Sequence, residues 1–301
     1  MLTSELITRI KNTAATPDNQ SGFSSDDILL LADDELNTSI VPMLLAARSE
    51  YLVYEETHTL TSNCIDIPYR AVVNGIRDIY YVEGGNKYDI PYKSPEDILD
   101  AQYSRTGSVD GFYFQGDTIC FMPDNVVGKQ VIIRYHMSAS DLSTISGGKV
   151  TAINRTTGVV NVDIAPTGLS TSNPVDFIDG KSGMVLAYDI TLNNLVVTAL
   201  TFTPADIPAR LEVGDYIFLK QKTPILPVPR EVANLLVLRT AARLLESIGD
   251  FEALSRVETR ANSAEKSLKA LLEPRSRGGA KKLKGSGLIK SGSQRRLRVR
   301  Y

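Results

Sequence analysis

The chain has few of the residues on which many functional sites depend. It contains no tryptophan, two histidines and two cysteines. Without tryptophan a carbohydrate-binding site is disfavoured, because such sites usually stack sugars on aromatic rings. His58 and His136 lie in none of the spacings by which zinc sites are recognised. Cys64 and Cys120 are too few for a disulfide framework, so we interpret both as buried reduced thiols in strand-like segments.

Long apolar segments are also missing. The first twenty residues hold no apolar run suited to a signal peptide, and eighteen consecutive apolar residues occur nowhere. We therefore expect no membrane association. The composition, 43% hydrophobic and 23% charged, is that of an ordinary soluble protein, and 301 residues can bury a sizeable core.

Motifs of catalysis are not found either. The stretches "DGKS" and "SGGKVT" lack the first glycine of a phosphate-binding loop, and no helix-forming run follows them. No G-x-S-x-G sequence, which marks a nucleophile at a strand-to-helix turn, occurs. We therefore expect that the protein is not an enzyme and needs no cofactor or metal.

Apolar residues recur at helical spacing near both ends of the chain. Near the amino terminus, Ser24 or Ser25 can cap a helix, and another helix is expected with Pro42 in its first turn and its end at about Glu56. Near the carboxy terminus, "REVANLLVLRTAARLLESIGD" and the stripe over 251–271 predict two more helices. Such stripes need a partner surface, so we expect the two ends of the chain to pack together.

The central part alternates with period two and is divided by Gly, Pro and Asp/Asn turns, which predicts strands. One short helix is expected at "SPEDILDAQ", capped by Ser94. The predicted fold class is α+β: a helical bundle formed by residues 1–56 and 224–273, with antiparallel β-rich segments inserted at 57–146 and 147–223. We expect the second insertion to be a small barrel or sandwich. Residues 274–301 are predicted to form an extended basic tail.

Positive charge is concentrated in that tail. Ten of the 33 Lys and Arg residues lie between Arg275 and Tyr301, where there is no Asp or Glu. The preceding residues carry the other 23 together with all 35 acidic residues, so their net charge is −12. The tail is too polar and too rich in Gly and Ser to fold alone. Its last five residues, "LRVRY", alternate apolar and basic, which suits strand addition to the sheet edge of a partner.

The order of the segments resembles a known family. "GFSSDDILLLADDELNTSIVPMLLAARSEYLVYEE", "IDIPYRAVVNGIRDIYYV" and "LEVGDYIFLKQKTPILPVPREVANLLVLRTAARLLESIGD" are together similar to the head-to-tail connector proteins of tailed bacteriophages, also called adaptor or neck proteins. The resemblance spans most of residues 22–272 and is one of pattern, without a catalytic signature. It implies a ring, usually of twelve identical subunits, that docks beneath the portal protein, extends the DNA channel and carries the tail or tail-tube protein. It also implies a location in the virion neck after synthesis in the host cytoplasm.

Carboxy-terminal segments of that family typically lie against the portal, and here the residues after Pro274 match that role. The apolar residues of "LRVRY" would be one anchor on the partner, and Leu288 and Ile289 would be a second. The resemblance thus assigns portal binding to Arg275, Arg277, Lys281, Lys282, Lys284, Leu288, Ile289, Lys290, Arg295, Arg296, Leu297, Arg298, Val299, Arg300 and Tyr301.

Other interpretations stay open. The tail is also suited to a nucleic-acid-binding protein, because ten flexible cations bind phosphates with steep salt dependence, and in a ring the tail could touch genomic DNA non-specifically. A tail that only confers solubility is a third interpretation, and a capsule-degrading phage enzyme is a fourth. The carboxylates of Asp26, Asp27, Asp33, Asp34 and Glu35 could line a DNA channel, but we favour an ordinary solvated helix face.

Overall fold

The structure is a computed structural model that describes residues 1–15, 22–47, 50–94, 109–122, 126–144 and 147–272. Within these ranges the chain forms helices, antiparallel sheets and one parallel strand pair. The predicted helix at "SPEDILDAQ" and the tail at 274–301 lie outside the described residues.

The helices begin and end at recognisable signals. Their bounds are Thr3–Thr13 (α1), Ser25–Glu35 (α2), Val41–Ala47 (α3), Arg230–Ile248 (α4) and Phe251–Leu272 (α5). Of the two predicted caps, Ser24 is the one that caps α2: its hydroxyl accepts a hydrogen bond from the Asp27 N–H, and the Asp27 carboxylate accepts one from the Ser24 N–H. Gly249 ends α4 with a φ of 82°, a left-handed conformation that glycine adopts at little cost.

Pro42 lies in the first turn of α3, as predicted. The chain reaches it through a π-helical turn, Leu36–Ile40, because an α-helical ladder would press the proline ring against the Thr38 carbonyl. The predicted continuation of this helix to residue 56 is wrong. α3 ends at Ala47, and a strand begins at Val53, where β-branched and aromatic residues favour extended backbone.

The predicted helical bundle of the two chain ends is wrong. α4 contacts α1, α2 and α5, but the same apolar core also takes in Leu52, Leu142, Leu226 and Val228 from outside the helices. Two short parallel strands, Asp141–Leu142 (β8) and Lys222–Thr223 (β16), lie beside this core, and β8 contacts α2. The helices alone do not cover their apolar stripes, so remote segments complete the core. The described fold is therefore mixed, with helices and five sheets.

Residues 53–137 supply two sheets. The first has the strand order β1–β7–β3–β4, with bounds Val53–Thr59 (β1), Ala71–Glu83 (β3), Asn86–Asp89 (β4) and Gln130–Met137 (β7). The second has the order β2–β6–β5, with bounds Cys64–Asp66 (β2), Gly111–Gln115 (β5) and Thr118–Met122 (β6). Cys64 and Cys120 are directly opposed in β2 and β6 and form a disulfide, so the interpretation as reduced thiols is wrong.

Two further sheets enclose one apolar core that includes Val160, Phe177, Phe202 and Ile217. One sheet has the order β13–β14–β10–β9, with bounds Val150–Asn154 (β9), Val159–Val162 (β10), Asn194–Val196 (β13) and Ala199–Thr201 (β14). The other has the order β12–β11–β15, with bounds Val175–Ile178 (β11), Val185–Ile190 (β12) and Tyr216–Leu219 (β15). A bridge between Lys149 and Tyr216 joins the two sheets, with flanking backbone hydrogen bonds from Ile217 to Gly148 and from Val150 to Asp215.

Candidate functional site

The predicted portal-binding residues, Arg275 to Tyr301, lie outside the described residues. Three features within the described ranges remain as candidates: a cleft beside α1, an acidic face of α2 and a buried polar network between two sheets. The cleft and the polar network are each built from segments far apart in the sequence, whereas the acidic face belongs to one helix.

The cleft has a volume of about 490 Å³ and is lined by parts of α1, α3, the start of α4 and the loop at 181–184. Its floor is apolar and includes Leu44, Leu226 and Val228, all buried. Clefts of this size with an apolar lining and a few polar groups are the usual form of binding sites.

Backbone contacts fix the walls of the cleft. The Thr3 N–H donates to the Pro224 carbonyl at 2.9 Å, and the Leu226 N–H donates to the Met1 carbonyl at 3.0 Å, so α1 is held against the segment before α4. On the other side, Gly183 approaches closely: a Cβ there would lie 2.6 Å from the Leu226 carbonyl oxygen. Only glycine fits such an approach, which explains its place in the loop.

Cations dominate the rim of the cleft. Arg9, Lys181 and Arg230 line it, against one carboxylate, that of Glu5. Lys181 is paired with Glu212 at 2.9 Å. Arg9 and Arg230 are exposed and have no ion-pair partner among the described residues. The cleft therefore offers an apolar floor with positive charge at its edge.

The five acidic residues of α2 have different environments. Asp26, Asp27 and Asp34 are exposed, whereas Asp33 is half-buried and accepts a hydrogen bond from the Leu142 N–H at 2.9 Å. Burial, opposed in part by that hydrogen bond, raises the pKa of Asp33 to about 7.

Glu35 does not belong to a solvated face. Its side chain is buried and forms a 2.8 Å ion pair with Arg243 and a 3.4 Å ion pair with Arg239 on α4. The interpretation of all five acids as one solvated face is therefore wrong for Glu35, which ties α2 to α4.

A polar network lies where β12 meets the first sheet. The Tyr188 hydroxyl donates to the Glu56 carboxylate at 2.8 Å and lies 2.9 Å from the Tyr135 hydroxyl. Burial raises the pKa of both phenols, and it raises the pKa of Tyr54 to about 12. The phenols therefore stay protonated at neutral pH and serve as hydrogen-bond donors that join the two sheets.

Arg70 and Asp176 form a buried ion pair in this network. Arg70 is 1% exposed, and its guanidinium donates to the Asp176 carboxylate and to the Ser140 hydroxyl, both at 2.7 Å. Asp176 also accepts from the N–H groups of Asp189 at 3.1 Å and Gln221 at 2.9 Å. The pair links the residue before β3 to β11 and, through Ser140 and Gln221, to the segment after β7 and the loop before β16, while the Arg70 Nε–H has no hydrogen-bond partner among the described residues. We assign it a structural role.

The histidines are not brought together. The His58 Nε2 atom lies 3.5 Å from Glu56, and the His136 Nδ1 atom lies 3.2 Å from the Tyr51 carbonyl. In the part of the chain that the structure describes, no cluster of His, Cys, Asp and Glu is arranged to hold a metal ion. Over the same ranges, no helix is both long and apolar enough to cross a bilayer.

Comparison with known proteins adds no relative: neither a protein-family model nor a curated protein matches this chain.

Sequence reasoning missed the cleft. Arg9 and Arg230 stand at opposite ends of the chain, and no spacing rule links them. A local signal for the cleft was Gly183, the second glycine of "DGKSG", which lies against Leu226. In this loop the Asp179 carboxylate accepts hydrogen bonds from the Lys181 N–H and the Ser182 hydroxyl. That carboxylate occupies the place where a phosphate-binding loop would present free N–H groups, which agrees with the rejection of this motif.

Proposed function

We propose that the protein is a structural component of a phage virion: a head-to-tail adaptor whose subunits form a ring and dock on the portal protein through the tail at 274–301. The observation that carries the proposal is the division of charge along the chain. The tail bears ten cations and no anion, whereas the residues before it have a net charge of −12.

Large apolar side chains are exposed on several elements of the described surface and are available for contacts between subunits or with partners. Leu30 on α2, Phe251 at the start of α5 and Val197 at the tip of the β13–β14 hairpin are all large and exposed. They lie on different elements, so one interface need not cover them all.

If the tail docks by strand addition, its apolar anchors should contribute as much to portal binding as its positive charge. In strand addition, main-chain hydrogen bonds and side-chain pockets hold the segment, and cations steer it. A nucleic-acid arm would depend on the cations alone and would weaken steeply with salt.

The test compares four forms of the chain for co-sedimentation with the portal ring and for binding to duplex DNA. They are the full chain, a chain ending at Glu273, a tail with its ten Lys and Arg changed to Gln, and a tail with Leu288, Ile289, Leu297, Val299 and Tyr301 changed to Ser. Of the four forms, we expect only the full chain to bind the portal fully. The truncated and serine forms should lose portal binding. If the serine form keeps full binding to DNA and none of the four forms joins the portal, the tail is a nucleic-acid arm and the proposal is wrong.

A further inference from the structure

We propose that the acidic face of α2 in one subunit docks into the cleft of a second copy of this chain, head to tail. The acidic face comprises Asp26, Asp27, Leu30 and Asp34. The inference rests on the self-association contained in the proposed function, but it is independent of tail docking.

The acidic face presents one exposed leucine among three carboxylates. Asp26, Leu30 and Asp34 follow one another at intervals of four residues and so lie in one row of the helix. Leu30 is 64% exposed, whereas Ile28, on the other side of the helix, is buried in the chain's own core. A leucine this exposed on an otherwise well-packed helix is available to a partner.

The carboxylates of this face are largely unneutralised. The Asp26 carboxylate has no ion-pair or hydrogen-bond partner among the described residues. The Asp34 carboxylate has one cation within 4.0 Å, Arg243. Asp27 caps its own helix through Ser24, which leaves its negative charge in place. The α2 face therefore carries net negative charge around its apolar centre.

The cleft has the complementary arrangement. Its apolar floor is large enough for a leucine and part of the helix that carries it, and Arg9 and Arg230 are unpaired at its edge. Because both surfaces are preformed, neither needs to reorganise before contact. Opposite charges around an apolar centre give both attraction at a distance and a defined register.

The contact is heterologous, because the acidic face and the cleft share no residue. After pairing, one copy therefore keeps a free cleft and the other keeps a free acidic face. Such contacts close into a ring when the rotation between subunits permits, and otherwise extend as an open filament.

This geometry permits a decisive mixing experiment with the full-length chain, followed by sedimentation velocity. Leu30→Asp removes the face but keeps the cleft, and the double change Arg9→Glu with Arg230→Glu removes the cleft but keeps the face. We expect each variant alone to associate at least about tenfold more weakly than the parent, as for the loss of a central interface residue. Mixed, the two variants should form a 1:1 dimer and nothing larger, because each retains one half of the contact.

Val197→Asp is the matched control, because Val197 is also apolar, is 83% exposed and belongs to neither surface. It should associate like the parent. Circular dichroism of each variant shows whether it is folded. Association should also weaken with added salt, because the charges at the edge of the cleft are screened.

Three results would overturn the inference: a parent chain that stays monomeric at all concentrations, variants that associate like the parent, or a mixture that does not dimerise. If any one of these results is found while the tail still docks on the portal, the adaptor function survives and the subunit contacts lie elsewhere. If the tail fails to dock while the mixed variants dimerise, the proposed function is wrong but the contact between copies stands.

Discussion

Replacing Arg70 by methionine tests the buried polar network most sharply. Methionine keeps an unbranched apolar stem but removes the guanidinium charge next to Asp176, which is fully buried. The carboxylate would then keep only its two backbone donors, the N–H groups of Asp189 and Gln221. Removing one partner of a buried ion pair costs about 3–5 kcal/mol, because the other charge is left without compensation.

The free energy of unfolding is measured at pH 7 by urea titration, followed by circular dichroism and tyrosine fluorescence, since tryptophan is absent. Arg70→Met should lower it by about 3–5 kcal/mol, and adding Asp176→Asn should restore part of the loss. Arg134→Met is the matched control: Arg134 pairs with Glu55 at 2.8 Å on the exposed side of the first sheet, so its loss should cost at most about 1 kcal/mol. Equal losses for Arg70→Met and the control, or strictly additive effects in the double variant, would refute the reasoning.

Three further changes test separate parts of the fold. Because burial raises the pKa of Asp33 to about 7 from 3.8, the folded state loses stability as the pH rises from about 4 to 7. Asp33→Asn keeps an acceptor for the Leu142 N–H, so its free energy of unfolding in urea should equal that of the parent at pH 4. At pH 8 it should exceed that of the parent by about 1–2 kcal/mol, less than the full pKa shift implies because Asp33 is partly exposed. A difference that stays constant across this pH range would contradict the assignment. Reducing the disulfide between Cys64 and Cys120, which are 56 residues apart, should lower the melting temperature through a loss of about 2–4 kcal/mol, and no shift with reductant would show that the bond does not form in solution. Gly249→Ala should destabilise the chain by about 1 kcal/mol because of its positive φ, and a neutral or stabilising effect would show that α4 ends differently.

Local features of the fold could be read from the sequence. The capping role of Ser24, the position of Pro42 and the helical stripe of α4 each depend on neighbours within a few residues. The stripe over 251–271 was only partly right: Val257 and Leu268 are buried, but Phe251, the first residue of α5, is exposed. Periodicity shows which residues share a face, not how far the partner surface extends.

Long-range features could not be read in the same way. The fold class was wrong because the core of the helices is completed by remote residues such as Leu142 and Leu226, which local patterns do not connect. The disulfide was missed because Cys64 and Cys120 meet only through the register of β2 and β6. The cleft was missed for the same reason, since it joins Arg9 to Arg230.

Native mass spectrometry of the portal ring, alone and after mixing with the full chain, tests the central claim most directly. The adaptor account predicts a discrete heavier complex with one copy of this chain per portal subunit, twelve for the usual ring, and no such complex for the chain ending at Glu273. A portal mass that is unchanged by the full chain would contradict the account.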